Sequence, residues 1–255
     1  MYQFFVEEKN VSETEVLIEG NDVRYIRNVI RLRCGEQIRV SAPSENYLCK
    51  INEVSEYFVR AQIVADKIGG TELSNRIVLF QGLPKGDKME LIIQKAVELG
   101  VSEIVPVAMK HCVVRLDEKK AAAKTVRWQT IAENAAKQSK RSVIPRVSSP
   151  MEFAQAAAAA LELDHRLVPY ENENGMHGTK EALSRITAGS SVGIFIGPEG
   201  GFAAEEIASV KDRMSLISLG KRILRTETAG LAALAVLMYH LEIKQEEWQD
   251  AGISG

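Results

Sequence analysis

Two stretches in the second half of the chain hold residues whose types and order could do chemistry. The first is Ile194-Phe195-Ile196-Gly197-Pro198-Glu199-Gly200-Gly201-Phe202, an apolar strand that runs into a glycine-rich turn. Ligands of α/β proteins bind beyond the carboxyl ends of strands, where glycines let the backbone come close to them. No Gly-Lys-Ser/Thr follows, so the turn is not a P-loop, and it lacks the Gly-x-Gly-x-x-Gly spacing of a dinucleotide site. The second stretch is Leu219-Gly220-Lys221-Arg222-Ile223-Leu224-Arg225-Thr226-Glu227-Thr228-Ala229. It follows another apolar segment and opens a helix, with Thr226 placed to cap it and Glu227 in the dipole-favoured first turn. Taken singly, the first stretch reads equally well as an ordinary strand-to-helix turn, and the second reads better as a capped helix start with Lys221, Arg222 and Arg225 in solvent.

The elements that must position these stretches alternate from Arg76 onward. Strands are expected at Ile77 to Leu83, Glu103 to Ala108, Arg166 to Pro169, Ser191 to Ile196 and Ser215 to Leu219. Helices are expected at Asp87 to Leu99, Ala121 to Ser139, Ala154 to Leu163, Ala203 to Arg213 and Thr226 to Glu242. Such alternation predicts a mostly parallel sheet covered on both faces. The last helix is apolar on nearly every side, which predicts deep burial or a place in a subunit interface.

The first 70 or so residues read differently. Tyr2 to Val6, Glu15 to Ile18, Gln37 to Ser41, Tyr47 to Val54 and Tyr57 to Val64 have the β-branched and aromatic content of strands. Between them, Val23, Ile26, Val29 and Ile30 recur at helical spacing behind a possible Asp22 cap, which predicts one short helix from Asp22 to Leu32. The sum is a small β-barrel with one basic helix. The polar, glycine-paired segment Ile68 to Asn75 is the expected linker, so the domains divide as 1–70 and 76–255.

Charge narrows the partners. A formal net charge of -2 excludes a globally basic nucleic-acid binder, so polyanion contact has to use local patches. Two acid-poor patches exist: Arg24, Arg27, Arg31, Arg33 and Arg39 against Glu36, and Lys137, Lys140, Arg141 and Arg146 with no acid. Three scattered cysteines and four scattered histidines offer neither a disulfide framework nor metal-ligand spacing. No apolar run approaches the roughly 18 residues of a membrane span, and the amino terminus lacks a secretory pattern, so a cytoplasmic location is expected.

Jointly, these motifs resemble the SPOUT methyltransferases, and within them the RsmE-type enzymes of small-subunit ribosomal RNA, over nearly the whole chain. The resemblance rests on Gly197 to Phe202 with Glu205-Glu206-Ile207, and on Leu219-Gly220 with Ile223 to Ala229. It extends to Lys85-Gly86-Asp87-Lys88-Met89-Glu90, Gln94-Lys95, Glu98 to Val101, and Gln138-Ser139 with Arg141 and Pro145. In the first domain, Val29-Ile30-Arg31-Leu32 with Gly35 resembles the Val-Leu-Arg motif of a PUA-like barrel. Arg24 and Tyr25 stand where the family usually has histidines, and Lys137 where many relatives have an acid.

What the resemblance implies is an α/β fold with a carboxyl-terminal trefoil knot, methylation of N3 of a uridine in 16S ribosomal RNA, S-adenosylmethionine as cofactor, and a homodimer. Cofactor contacts would fall to Val168, Pro169, Ile196, Gly197, Pro198, Glu199, Gly200, Leu219, Gly220, Ile223, Leu224, Arg225, Thr226 and Thr228. Arg225 would stabilise negative charge on the uracil oxygens, and Glu199 and Glu227 are candidates for orienting groups or proton acceptors. The RNA, free or in the small ribosomal subunit, would meet Arg24, Tyr25, Arg27, Arg31, Lys85, Lys88, Lys137, Gln138, Lys140 and Arg141. No metal or membrane contact is implied. A SPOUT ribose 2′-O-methyltransferase and a non-catalytic RNA-binding factor are the alternatives.

Overall fold

The computed structural model describes residues 1–250, the side chains of residues 249 and 250 excepted. The chain divides into two compact units, Met1–Glu72 with Ala136–Val143, and Leu73–Ala135 with the chain from Ile144 onward.

The first unit is a curled five-stranded sheet. Its strands are β1 (Gln3–Phe5), β2 (Glu15–Glu19), β3 (Gln37–Ser41), β4 (Asn46–Val54) and β5 (Phe58–Ala65), in the order β1-β3-β4-β5-β2. Only the β1–β3 pair is parallel. Alternation sets which face is inside: Ile38 and Val40 of β3 and Val59 and Ala61 of β5 are buried, and Arg60 and Gln62 between and beyond them are not. With Phe4, Val16, Ile18, Cys49 and Ile51 they enclose one core. Two register shifts between β4 and β5 bend the sheet around it.

The expected helix over Asp22 to Leu32 is shorter and wider than its spacing suggests. A turn of α-helix, α1 (Asn21–Arg24), runs straight into a π-helical segment at Tyr25–Ile30. Gly20 takes the N-cap position, and Asp22 instead binds the Lys137 ammonium at 2.7 and 3.0 Å. Because π geometry puts more residues in each turn, Val29 rotates off the face set by Val23 and Ile26. Val23 and Ile26 are buried, whereas Val29 is 65% exposed.

Arg141, expected on a basic surface, is only 4% exposed. Its guanidinium embraces Glu72, with Nε donating to both carboxylate oxygens at 3.1 and 3.2 Å. The amides of Ser142 and Val143 also donate to Glu72, and the Arg141 carbonyl accepts from Gln3 Nε2. Burying a guanidinium this deep is costly unless a carboxylate faces it.

The second unit carries a seven-stranded, wholly parallel sheet. In chain order it comprises β6 (Arg76–Gly82), α2 (Lys88–Glu98), β7 (Glu103–Ala108), α3 (Glu118–Ser139), β8 (Arg146–Val147), β9 (Met151–Glu152), α4 (Phe153–Ala159), β10 (His165–Pro169), α5 (His177–Ser184), β11 (Ser191–Ile196), α6 (Ala204–Val210), β12 (Ser215–Ile217) and α7 (Thr226–Asp250). The last turn of α3 counts with the first unit. The strand order is β12-β10-β11-β6-β7-β8, with β9 also on β7. β11 therefore inserts between β6 and β10, and the carboxyl ends of β6, β10, β11 and β12 crowd one edge of the sheet. Strands β6 and β11 are buried almost throughout, as continuous apolar runs in a parallel sheet must be. Phe80 and Phe195 stack across them at 4.3 Å. The two-residue strands β8 and β9 and the polar helix α5 carry too little pattern to be read from sequence.

Helix α7 packs on α2 and buries Ala233, Leu234, Leu237 and Leu241. Burial on all sides does not hold: Val236, Tyr239 and Ile243 are 44%, 68% and 40% exposed. No helix among the described residues is long and apolar enough to cross a membrane.

The Glu72–Arg141 pair gives a direct test of the first unit. Replacing Glu72 with Ala leaves a buried guanidinium without its carboxylate and should destabilise the protein by about 3 kcal/mol. Chemical denaturation measures this, and a change below about 0.5 kcal/mol would assign the pair no structural weight.

Candidate cofactor cleft

The cleft forms where the parallel strands end. β10 ends at Pro169, β11 at Ile196 and β12 at Ile217, and each hands the chain to a loop that bends over the sheet edge. Two adjoining lobes result. The larger, about 440 Å³, is lined by Ile196 to Phe202 and by Ile223 to Thr226, with Lys88 at its side. The smaller, about 110 Å³, is lined by Tyr170, Ser218 to Leu224 and Arg222 among them. Pro169, Glu171, Ile223, Leu224 and Ala229 border both. The larger lobe falls in the usual range of small-molecule sites, roughly 300–1,000 Å³.

Backbone packing holds the loops. Gly82, at the end of β6, lies so close to the Gly197–Pro198 peptide that a Cβ there would stand 2.7 Å from Pro198 N. The turn then closes on itself, with the Gly201 amide donating to the Pro198 carbonyl at 2.9 Å. His111 Nδ1 lies 2.9 Å from the Gly200 carbonyl and holds the turn from outside. Behind it, the buried Glu206 carboxylate accepts the amides of Ala203 and Lys110 at 2.8 and 2.9 Å. On the other loop, Thr179 ties both backbone groups of Ser218, at 2.8 and 3.0 Å. Thr226 does not cap its helix. Its hydroxyl donates to the Gly197 carbonyl at 2.6 Å, and the Arg225 carbonyl accepts the first helical bond, from Ala229 N, at 2.7 Å.

Glu199 and Glu227 converge on one ammonium. Lys88 Nζ stands 2.9 Å from Glu199 Oε1 and 3.1 Å from Glu227 Oε2. The second approach is an ion contact rather than an aligned hydrogen bond, since Glu227 Oε2 has no hydrogen-bond partner among the described residues. Burial pushes the Glu199 carboxyl up, but hydrogen bonds from Lys88 and from the amides of Glu199 and Lys85 together hold it below the usual range. The Glu227 carboxyl is also lowered, mainly by its own backbone amide, against burial and with help from Lys88. The Lys88 ammonium is raised by Glu199 first and Glu227 second. Both carboxylates are therefore held ionised, as orienting charges and poor proton acceptors. Arg225 is exposed at the rim, with no side-chain ion pair among the described residues.

Most residues expected at a cofactor line this cleft: Pro169, Ile196, Gly197, Pro198, Glu199, Gly200, Leu219, Gly220, Ile223, Leu224, Arg225 and Thr226. Val168 and Thr228 border neither lobe. Val168 is buried inside β10, and Thr228 is exposed on the first turn of α7. Lys88, expected to meet RNA, lines this cleft and is held between two carboxylates; Lys85 is exposed beside it and lends its amide to Glu199 at 3.1 Å. Sequence reasoning missed Tyr170, Glu171, Ser218 and the buried Gln81 beneath the cleft. Only their position just after or at the end of a strand marks them.

The sequence profile of the RNA methyltransferase domain matches residues 71–238. Ribosomal RNA small subunit methyltransferase E of Bacillus subtilis is 36% identical over 95% of this chain and 98% of its own length. The chain belongs to this RNA methyltransferase family. Its fold is shared with ribosomal RNA small subunit methyltransferase E from Neisseria gonorrhoeae bound to S-adenosyl methionine, at 31% identity and a TM-score of 0.81, over 94% of this chain and 97% of that one. A Legionella pneumophila methyltransferase in complex with the same cofactor gives 28% identity and a TM-score of 0.81, over 93% and 97% of the two chains.

The charge cluster predicts a titration. The lowered carboxyls contribute stability above their unfolded values and lose it as the pH falls through the folded ones; the raised Lys88 contributes below its unfolded value and loses it as the pH rises through the folded one. The cluster is thus intact from about pH 5 to about pH 10. Side-chain carboxyl NMR should place Glu199 below its ordinary 4.5 in the native protein. In a Lys88→Met variant only the amides of Glu199 and Lys85 still oppose burial, and the midpoint should rise from its native position. A midpoint that does not move would remove Lys88 as the cause.

Proposed function

We propose that the protein methylates N3 of a uridine in 16S ribosomal RNA, using S-adenosylmethionine bound in the cleft of Ile196 to Phe202 and Leu219 to Thr226. The observation that carries this reading is the convergence of these two loops on one cleft at the carboxyl edge of a parallel sheet, in a chain of this family. The residues present fit the cofactor. Leu219, Ile223 and Leu224 offer an apolar slot for an adenine ring, and the glycine-rich turn exposes backbone groups to its polar edge. When bound, the cofactor supplies a sulfonium methyl group.

The chain's own residues then have distinct tasks. To accept a methyl group, N3 of uracil must give up its proton, here to solvent water at the rim since both carboxylates are held ionised, and negative charge grows on the uracil oxygens as it leaves. Arg225, an exposed rim cation that acts on Glu227 only at a distance and forms no salt bridge among the described residues, is the group we assign to stabilise that charge. Glu199 and Glu227 orient Lys88 and keep the cleft wall charged. The two loops hold the reacting groups in line, and positioning of this kind accounts for much of a methyl transfer. We include in the proposal a trefoil knot formed by these loops, a PUA-like role for the first unit, a cytoplasmic location and a homodimer.

Support for RNA contact comes from the first unit. Arg24 at the end of α1, Tyr25 and Arg27 on the π-helical segment and Arg31 just after it are all exposed, and so are Gln138 in the last turn of α3 and Lys140 just beyond it. Lys137 is half-buried and neutralised by Asp22, and Arg141 is committed to Glu72, so neither side chain extends the patch. Support for the dimer comes from the apolar face of α7 at Val236, Tyr239 and Ile243.

An Arg225→Ala enzyme should bind cofactor normally and lose about 100-fold in turnover. Nuclease digestion of the product should yield N3-methyluridine; a ribose-methylated nucleoside would replace the proposal with 2′-O-methylation. Replacing Arg24 and Arg27 together should lower the salt slope of RNA binding by about 1.5, and an unchanged slope returns them to solvent. Tyr239→Glu should shift light scattering from dimer to monomer mass, and a wild-type protein that scatters as a monomer would end the dimer proposal.

A further inference from the structure

Beneath the cleft lies a polar side chain that no step above uses. Gln81, the penultimate residue of β6, is fully buried. Its Nε2 donates to Thr226 Oγ1 at 3.0 Å and to the Gly82 carbonyl at 3.1 Å. Thr226 has one hydroxyl proton, and it goes to the Gly197 carbonyl at 2.6 Å. Thr226 can therefore only accept from Gln81, which fixes the orientation of the amide. The amide oxygen, Gln81 Oε1, has no hydrogen-bond partner among the described residues.

That oxygen explains a glycine. Thr226 and Gly230 are one helical turn apart and share a face of α7. The Gln81 carboxamide lies along that turn, with its nitrogen on Thr226 and its oxygen against Gly230. A methyl group on Gly230 would stand 3.2 Å from Gln81 Oε1, tighter than ordinary contact. A glycine inside a helix costs about 1 kcal/mol relative to alanine, so α7 carries a local penalty where Gln81 needs room.

We propose that Gln81 is a positioning residue for the cofactor cleft: through Thr226 it sets the distance between the Gly197 turn and the start of α7. The chain Gln81, Thr226, Gly197 joins the ends of β6 and β11 to the first turn of α7, where Arg225 and Glu227 flank Thr226. Each link is buried or half-buried, where a broken hydrogen bond is expensive and geometry is correspondingly well defined. The role rests on the cofactor occupying this cleft, and it acts on the position of the two loops without touching the reacting atoms.

The test uses full-length protein and calorimetric titration with S-adenosylmethionine, with thermal melting of each variant alongside. Gln81→Met keeps volume and removes the amide; cofactor affinity should fall roughly ten-fold. Thr226→Val should fall similarly, Thr226→Ser should retain wild-type affinity, and the Gln81→Met/Thr226→Val double variant should be no weaker than either single one. Gly230→Ala gives the sharpest contrast: alanine favours the helix, yet affinity should fall because Gln81 is displaced, and Gln81→Ala should restore tolerance of alanine at 230. A folded Gln81→Met protein with wild-type affinity overturns the proposal, as does additivity in the double variant. Should Gln81→Met fail to fold, Gly230→Ala decides, and an unchanged affinity there overturns it. Ala229→Phe, which fills the border of both lobes, separates the two readings. If it leaves binding intact, the cleft assignment fails; if it abolishes binding while the Gln81 set does nothing, only the positioning role fails.

Discussion

The site depends on one close approach, that of the end of β6 to the Gly197–Pro198 peptide. A side chain at position 82 would have to occupy space held by Pro198, so only a glycine lets the β11 loop fold back over its neighbouring strand. Once that contact is made, the turn from Gly197 to Gly201 has nowhere to go but outward over the sheet edge. There it meets the loop that leaves β12. Insertion of β11 between β6 and β10 makes this meeting unavoidable, because parallel strands deliver all their carboxyl ends to the same edge.

Charge in the cleft is arranged so that Arg225 stays outside the carboxylate cluster. Lys88 faces two carboxylates, Glu199 and Glu227, and is itself drawn to a higher pKa by them. Three charges in mutual contact screen one another, and their sum is one negative charge on the wall. Arg225 stands apart from that cluster's direct contacts, at the rim. Had Arg225 taken the place of Lys88, the same two carboxylates would have spent it, leaving only Lys221 and Arg222 of the smaller lobe without a salt bridge among the described residues. The pairing pattern thus matters more than the count of charged residues, and a protein of net charge -2 can still present positive charge where a polyanion arrives.

Much of this was legible in the residues because it is local. The boundaries of β3, β7 and β11 coincide with their apolar or alternating runs, and both cleft loops are visible as glycines and charges placed between a strand and a helix. What was not legible is long-range. Nothing near Gln81 in sequence tells that its amide meets Thr226, 145 positions away. Lys88 reads as a surface cation until Glu199 and Glu227 are seen beside it, and Arg141 reads the same way until Glu72 closes over it. Basic residues look alike in a sequence; only the carboxylates brought in by the fold decide which are free to meet a ligand.

The π-helical segment carries the same lesson at short range. Helical spacing predicted that Val29 would join Val23 and Ile26 inside, but widening the turn carried it out among the arginines. Single exposed apolar side chains are ordinary, and Val113 and Val126 are as exposed, but Val29 stands among Arg24, Tyr25, Arg27 and Arg31. It suits a surface that meets a nucleic acid, where guanidinium groups hold phosphates and an apolar or aromatic side chain receives an unstacked base. The departure from ideal geometry therefore does not weaken the basic patch; it adds to it the one kind of contact that phosphate neutralisation by itself lacks.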